Sequence, residues 1–284
     1  METIYRLIDF ILPFEWLSYN FMKNAFISIL IITPLFGLTG TMIVNNSMAF
    51  FSDALGHSAL TGIALGVILG ISNTNISMII FAILFAYLLN MINSKNMVST
   101  DTVISVFSSF SMAIGLVILS RNGNFTKYSN LLIGDILNIS PNEIIYLIII
   151  FIITLLFWYI SFNKLLSISV NKSLAKSKNV NIKLIENIFT ILIAIIVMLS
   201  IKWVGILIIN ALLILPAASS RNISINMREY HLFAILISVF SGISGLVLSY
   251  YINTATGPTI VIIASIIFFI TFMFNITSVK KQNK

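Results

Sequence analysis

Two residues of metal-binding type lie one helical turn apart inside the apolar stretch Met48–Gly70, MAFFSDALGHSALTGIALGVILG. Asp53 and His57 are four positions apart, so in a helix both side chains leave one face, which Thr61 continues. A carboxylate and an imidazole together suit zinc, manganese and ferrous iron alike. Because an ionisable residue at membrane depth is costly and usually functional, we predict that Asp53 and His57 line a path for a divalent transition metal ion.

Two structural roles stay open for the same pair. Asp53 would also serve as a helix N-cap near the cytoplasmic surface, and His57 as a histidine bonded to a neighbouring carbonyl group. A D-x-x-x-H spacing alone is common, and its place inside an apolar span is what favours the metal path. The element that positions the pair also carries glycines every fourth residue, which predict close packing of another helix: Gly62, Gly66 and Gly70.

The composition indicates a helical membrane protein. Hydrophobic residues make up 58% of the chain and charged residues 9%, whereas soluble proteins are about a quarter charged. Repeated apolar runs predict an all-α, polytopic protein, one transmembrane domain over residues 1–284, with about nine spans. Eight is the alternative, because the seventh segment is short. The predicted segments are Phe21–Val44, Met48–Gly70, Asn75–Ile92, Thr102–Leu119, Glu143–Phe162, Leu184–Ile201, Trp203–Ala218, Leu232–Tyr251 and Pro258–Ile276.

The basic residues predict an orientation. Asn163–Lys183 is the most polar stretch and holds five lysines. If it is cytoplasmic, nine spans put eleven of the 16 lysines and arginines on that side, as the positive-inside rule favours. The N-terminus is then outside and the C-terminus cytoplasmic. Asn163–Lys183 would either lie near anionic lipid headgroups or dock a cytoplasmic partner, with Asn179 able to take a left-handed turn.

Several functions lack their residues. There is no cysteine, hence no thiolate metal site, and no G-x-x-x-x-G-K-[ST] loop, so ATP-driven transport would require an ATPase on another chain. No H-E-x-x-H or G-x-S-x-G motif occurs, and we predict that the chain is not an enzyme. The net charge of +7 is explained by lysine-rich loops and not by nucleic-acid binding. The segment before the first span, which contains Asp9, Pro13 and Glu15, is typical of an interfacial segment.

The segment SDALGHSALTGIALG resembles the identifying helix of the zinc/manganese-type permeases of bacterial ATP-binding-cassette importers. The resemblance covers nearly the whole chain, because further segments follow in that family's order. They are FMKNAF, STDTVISVF, NLLIGDIL, SLAKSKNV, VGILIINALLILPAASSR and NTATGPTIVI.

This resemblance implies a permease fold of the vitamin B12/metal-chelate type, as a homodimer surrounded by lipid in the inner (plasma) membrane of a bacterium. It implies a cytoplasmic ATP-binding-cassette ATPase and an extracytoplasmic metal-binding protein as partners. Zinc or manganese would be the transported ion, with no permanently bound cofactor. The family's path-lining residues correspond to Asp53 and His57. Its ATPase-docking residues correspond to Ser173, Leu174, Ala175, Asn179 and Val180.

The chain departs from that family at the docking segment and in the fourth span. Ser173 stands where an acidic residue is common and Asn179 where glycine is common, while Phe107–Met112 lacks the histidine of many zinc-type members. Three alternative functions also remain open: a permease of the same architecture for ferrous iron or a metal chelate, a stand-alone secondary transporter or channel, and a membrane scaffold without transport.

Overall fold

The structure, a computed structural model, describes residues 2–71, 73–93, 99–121, 126, 128–206 and 208–282. Within these residues the chain is helical and has no strand, as predicted. Short 3-10 turns cover Glu15–Leu17, Ser129–Leu132 and Ile136–Asn138. The α-helices are α1 (Glu2–Ile11), α2 (Asn20–Asn45), α3 (Ala49–Ile68), α4 (Thr74–Asn93), α5 (Thr100–Ser120), α6 (Pro141–Val170), α7 (Lys172–Ser177), α8 (Ile182–Val204), α9 (Ile209–Ile223), α10 (Met227–Ile252) and α11 (Thr256–Gln282).

Eight helices in the described part of the chain are long and apolar enough to cross a membrane: α2, α3, α4, α5, α6, α8, α10 and α11. The remaining predicted segment divides between two helices. The first residue of the predicted segment Trp203–Ala218 lies in α8, and its later residues lie in α9. Helix α9 has only 15 residues, fewer than the roughly 20 that a span needs. The described residues therefore contain eight helices long enough to span a membrane, which is the alternative to the predicted nine.

The orientation and the single-domain organisation stay predictions. Three of the basic residues counted for the orientation, Lys95, Lys127 and Lys284, lie outside the described residues. The chain contacts divide it into two compact units, each made of discontinuous segments. The first comprises Met1–Val44, Gly134–Phe151 and Ala211–Lys284, and the second comprises Asn45–Ile133 and Ile152–Asn210.

In the second unit α3 packs against α4, α5 and α8. The contact with α4 uses the predicted glycines, because a Cβ atom at Gly62 would lie 3.2 Å from the Cβ atom of Phe81. At Gly66 it would lie 2.7 Å from the Cβ atom of Ser77, which real side chains do not tolerate. Gly70 instead follows the end of α3 with φ +68°, and a Cβ atom there would meet no other atom within 4 Å. The two inner glycines therefore seat α3 on α4, as small residues do between membrane helices.

In the first unit small residues likewise bring helices together. A Cβ atom at Gly37 of α2 would lie 2.8 Å from the carbonyl oxygen of Ala234 in α10. A Cβ atom at Gly40 would lie even closer to the carbonyl oxygen of Leu213 in α9. Glycines therefore let the backbone of α2 approach these neighbours closely, alongside large buried side chains of α2 such as Phe36.

Candidate metal path and docking helix

Asp53 and His57 lie on a side of α3 that this chain leaves partly uncovered. The Asp53 side chain is 46% exposed and that of His57 is 32% exposed, although most of α3 is buried. Phe50, on the same side, is exposed as well. The small residues of α3 are buried against neighbouring helices. The carboxylate of Asp53 and the imidazole of His57 are instead accessible from outside the chain.

The distance within the pair suits a shared ion better than a direct bond. His57 Nε2 and Asp53 Oδ2 are 3.7 Å apart, beyond the range of a hydrogen bond. Bonds of about 2.0–2.2 Å from one ion to both atoms would hold them roughly 3–4 Å apart. The pair therefore needs little rearrangement to accept a divalent cation.

Among the residues that the structure describes, no group of three or more His, Cys, Asp or Glu side chains could hold a metal ion. A closed four-ligand site is the form in which proteins retain zinc structurally. Two protein ligands are instead compatible with an ion that must be released.

The open part of this face ends at His57. Thr61, which the sequence places one turn further along the same face, is buried, and its hydroxyl group donates a hydrogen bond to the carbonyl oxygen of Ser111 in α5. Gly115 of α5 lies against the backbone of Thr61, so the two helices approach closely at this level. Thr61 thus joins α3 to α5 and is not presented together with Asp53 and His57.

A break between α8 and α9 lies beside α3, and sequence reasoning did not assign it a place. The break begins at Gly205, whose φ of +94° favours glycine. The Ile206 amide donates to the Leu131 carbonyl oxygen at 3.0 Å, and a Cβ atom at Gly56 of α3 would lie 3.2 Å from the Ile206 carbonyl oxygen. The only signal of this break in the sequence was Gly205, which lies near the start of an apolar segment that is too short to cross a membrane.

One polar contact ties this break to α3. Ser52 Oγ donates to Asn210 Oδ1 at 2.5 Å, one residue before Asp53. Spacing alone could not find this bond, because 158 residues separate its partners in the chain. It orients the start of α9 next to the helix that carries the candidate ligands.

The predicted docking residues surround a short helix with well-defined ends. Asn171 caps the start of α7, its side chain accepting from the amides of Ser173 and Leu174. At the other end, Asn179 has φ +55°, as the sequence predicted. The Val180 amide donates to the Ala175 carbonyl oxygen at 3.2 Å, which completes a Schellman motif. Asparagine therefore does here what glycine does in that position, since it tolerates the left-handed conformation.

The two sides of α7 differ in exposure. Ala175 is fully buried, whereas Ser173 and Leu174 are exposed. An ion pair between Lys172 Nζ and Glu186 Oε1, 2.9 Å apart, holds the start of α7 on the first turns of α8. Any larger residue at position 175 would have to displace the surface on which α7 sits.

A cavity of about 420 Å³ lies beside α7 in the same unit. Apolar and polar residues line it in similar numbers, and the polar ones include the Lys172–Glu186 pair and Asp101. Asn90 Nδ2 closes one side by donating to Asn187 Oδ1 at 2.8 Å and to Thr190 Oγ1 at 3.0 Å. The ends of several helices therefore meet loosely behind α7, where small movements of α7 need not disrupt a close-packed core.

Known proteins share both the sequence and the fold. Residues 18–275 match the model of the ABC 3 transport family. The chain is 34% identical to the high-affinity zinc uptake system membrane protein ZnuB of Haemophilus influenzae, over 81% of this chain and 88% of that protein. It is 28% identical to the manganese transport system membrane protein MntC of Listeria monocytogenes, over 91% of this chain and 92% of that protein.

A solved structure, PsaBC from Streptococcus pneumoniae in complex with Fab, has the same fold. The TM-score is 0.80 and the sequence identity 25%, with 96% of this chain and 95% of that chain covered. The predicted resemblance is thus confirmed over nearly the whole length. With 258 residues inside the family's boundaries, this chain is a multi-span membrane protein that belongs to the ABC 3 transport family.

Proposed function

We propose that this protein is the permease subunit of an ATP-driven importer for divalent transition metal ions, zinc or manganese, in a bacterial cell membrane. The observation that carries the proposal is the Asp53–His57 pair, half open on a helix whose other sides are packed. Family membership and the zinc and manganese relatives support it.

In this proposal Asp53 and His57 lend the ion two ligands during passage. The carboxylate offsets part of the ion's charge in apolar surroundings, and the neutral imidazole supplies a nitrogen ligand. Because no third protein ligand joins them in the described part of the chain, the ion keeps exchangeable positions and can leave. A change in helix packing that opens the path inward would then release it.

The force would come from a separate cytoplasmic ATPase that docks on α7. The contact would involve Ser173, Leu174, Ala175, Asn179 and Val180. Leu174 offers an exposed apolar side chain for the contact, while the buried Ala175 fixes α7 to the rest of the chain. The left-handed turn at Asn179 sets the direction in which the chain leaves α7. The five lysines of Asn163–Lys183 favour a partner with an acidic rim.

Two further partners belong to the proposal: a second copy of this chain and an extracytoplasmic protein that delivers the ion. A second copy would cover surface that one chain leaves open, including the partly exposed side of α3. The N-terminus would lie outside and the C-terminus in the cytoplasm, in agreement with the distribution of basic residues.

The test is metal profiling of cells without this chain. Under metal limitation we expect zinc or manganese content to fall after deletion and to recover with the wild-type gene but not with an Asp53→Ala/His57→Ala double variant. A fall in iron alone would identify the ferrous-iron or chelate permease instead. Undiminished uptake by vesicles that lack any ATPase would contradict the proposal and favour a secondary transporter.

A further inference from the structure

The N-terminal helix α1 packs with its polar edge inward. Asp9 forms an ion pair with Lys23 of α2, with Nζ 2.7 Å from Oδ1. The Lys23 side chain is only 6% exposed. Beside it, the Tyr5 hydroxyl group donates to Asn24 Oδ1 at 2.5 Å, and Lys23 Nζ lies 5.8 Å from the centre of the Tyr5 ring. The polar edge of α1 is therefore matched to polar groups in the first turn of α2.

The apolar edge of α1 points away from the chain. Phe10 is 87% exposed and Ile11 is 66% exposed. Phe14, just after the helix, is 54% exposed. A helix in water would take the opposite orientation, with the apolar edge buried and the ion pair outside. This arrangement is stable only where something apolar covers Phe10 and Ile11.

We infer that α1 is an interfacial anchor whose apolar edge is embedded at the lipid surface, with Lys23 as the clamp that holds it there. The lipid is indicated by position: Lys23 is in the first turn of α2, a candidate span, so α1 is held at the membrane edge. Tyr19 and Phe21 at the same end of α2 are also exposed, which continues the apolar strip towards the span. Aromatic side chains at such a level are typical of the membrane–water interface.

The clamp also reaches a second segment of the same unit. Asn24, which accepts from Tyr5, donates through Nδ2 to the Ile139 carbonyl oxygen at 3.3 Å. The 3-10 turn Ile136–Asn138 precedes that residue. The anchor thus braces the entry to α2 and the segment before α6 at one point.

The chain contains no cysteine, so a single fluorescent label can be placed at will. Ile11→Cys and Arg6→Cys carry the label on different sides of α1, since five residues correspond to about 140° of rotation, and both positions are exposed. The full chain is reconstituted in phosphatidylethanolamine/phosphatidylglycerol nanodiscs. Quenching by a doxyl lipid is compared with quenching by aqueous iodide.

We expect the label at position 11 to be quenched several-fold more by the doxyl lipid than by iodide, and the label at position 6 to show the reverse. Equal iodide quenching at both positions would overturn the inference, because Ile11 would then face water. Shielding of position 11 from both quenchers would overturn it too, since a second copy or another protein would then cover α1.

The clamp is tested separately by amide hydrogen exchange of α1. Asp9→Asn removes the partner of a buried lysine and should speed exchange in α1 about tenfold, whereas Glu15→Gln, a change at an exposed carboxylate, should leave it unchanged. Unaltered exchange in Asp9→Asn would show that Lys23 does not hold the helix.

Discussion

The helices α3 and α1 are arranged in opposite ways. α3 buries its small residues and leaves Asp53 and His57 partly open, whereas α1 pairs Asp9 with a buried lysine and leaves Phe10 and Ile11 open. Each helix has one uncovered side, and the chemistry of that side identifies its surroundings. Open charged groups in a membrane protein indicate water or ions, and an open apolar edge indicates lipid.

The largest expected effect is on the open side of α3. His57→Leu and Asp53→Leu should each reduce metal uptake more than about 100-fold, because even groups that merely support a metal ligand contribute 10–100-fold. The amount of protein in the membrane should be unchanged, since neither side chain holds α3 in place. Uptake of the ion by cells is the measurement, and Phe50→Ala, on the same exposed side, is the matched control. Normal uptake in both variants would remove the pair from the mechanism.

The packed side of α3 should respond in stability. Gly66→Val forces a side chain against Ser77 of α4, where even a Cβ atom is too close. We expect a loss of about 1–3 kcal/mol or more in the free energy of unfolding, measured by thermal or denaturant unfolding in detergent. Ile68→Val, at a residue 61% exposed on the same helix, should change it little. A Gly66→Val protein as stable as the wild type would show that α3 and α4 are not in close contact.

The open side of α1 should tolerate no charge. Ile11→Asp places a carboxylate where we infer lipid, at a cost on the order of 1–3 kcal/mol, because full burial of an aliphatic side chain contributes about that much. We expect faster amide exchange in α1, measured in nanodiscs. Metal uptake, measured in cells, should change little. Arg6→Asp, which exchanges one charged side chain for another at an exposed position, serves as the control, and equal effects of the two changes would contradict the inferred orientation.

The smallest expected effect concerns the second lysine ion pair. Lys172 is 69% exposed and Glu186 is 38% exposed, so water competes with their interaction. Lys172→Met should therefore change stability by only about 0–1 kcal/mol, much less than a change at the buried Lys23. A double-mutant cycle with Glu186→Gln measures the coupling. A coupling well above 1 kcal/mol would mean that α7 is held more firmly than its exposure indicates.

Local features were predictable because they depend on near neighbours in the chain. The helix around Asp53 and His57 and the left-handed Asn179 both follow from residue types and short spacings. The glycines every fourth residue of α3 predicted close packing, and Gly62 and Gly66 do contact α4. The exception is Gly70, which lies past the end of the helix.

The misjudged features depend on distant parts of the chain. Thr61 was placed on the open face, but α5 covers it, because packing decides which part of a face stays exposed. The short seventh segment was predicted to begin at about Trp203, with eight spans as the alternative, and Gly205 separates Trp203 from α9. A hydropathy pattern shows how apolar a segment is. It does not show where the helix is interrupted by a hydrogen bond to another segment, such as the one from the Ile206 amide to the Leu131 carbonyl oxygen.

Hydropathy, charge and residue spacing predicted a helical membrane protein and placed Asp53 and His57 on one face of a helix, because these features depend on composition and on the period of one helix. The family was indicated by the resemblance of whole motifs, such as SDALGHSALTGIALG. Tertiary structure decided which side of each helix is covered. It set the bond between Ser52 and Asn210, and it turned the polar edge of α1 inward onto Lys23. Such contacts join residues far apart in the chain, and only the packing of whole helices brings them within bonding distance.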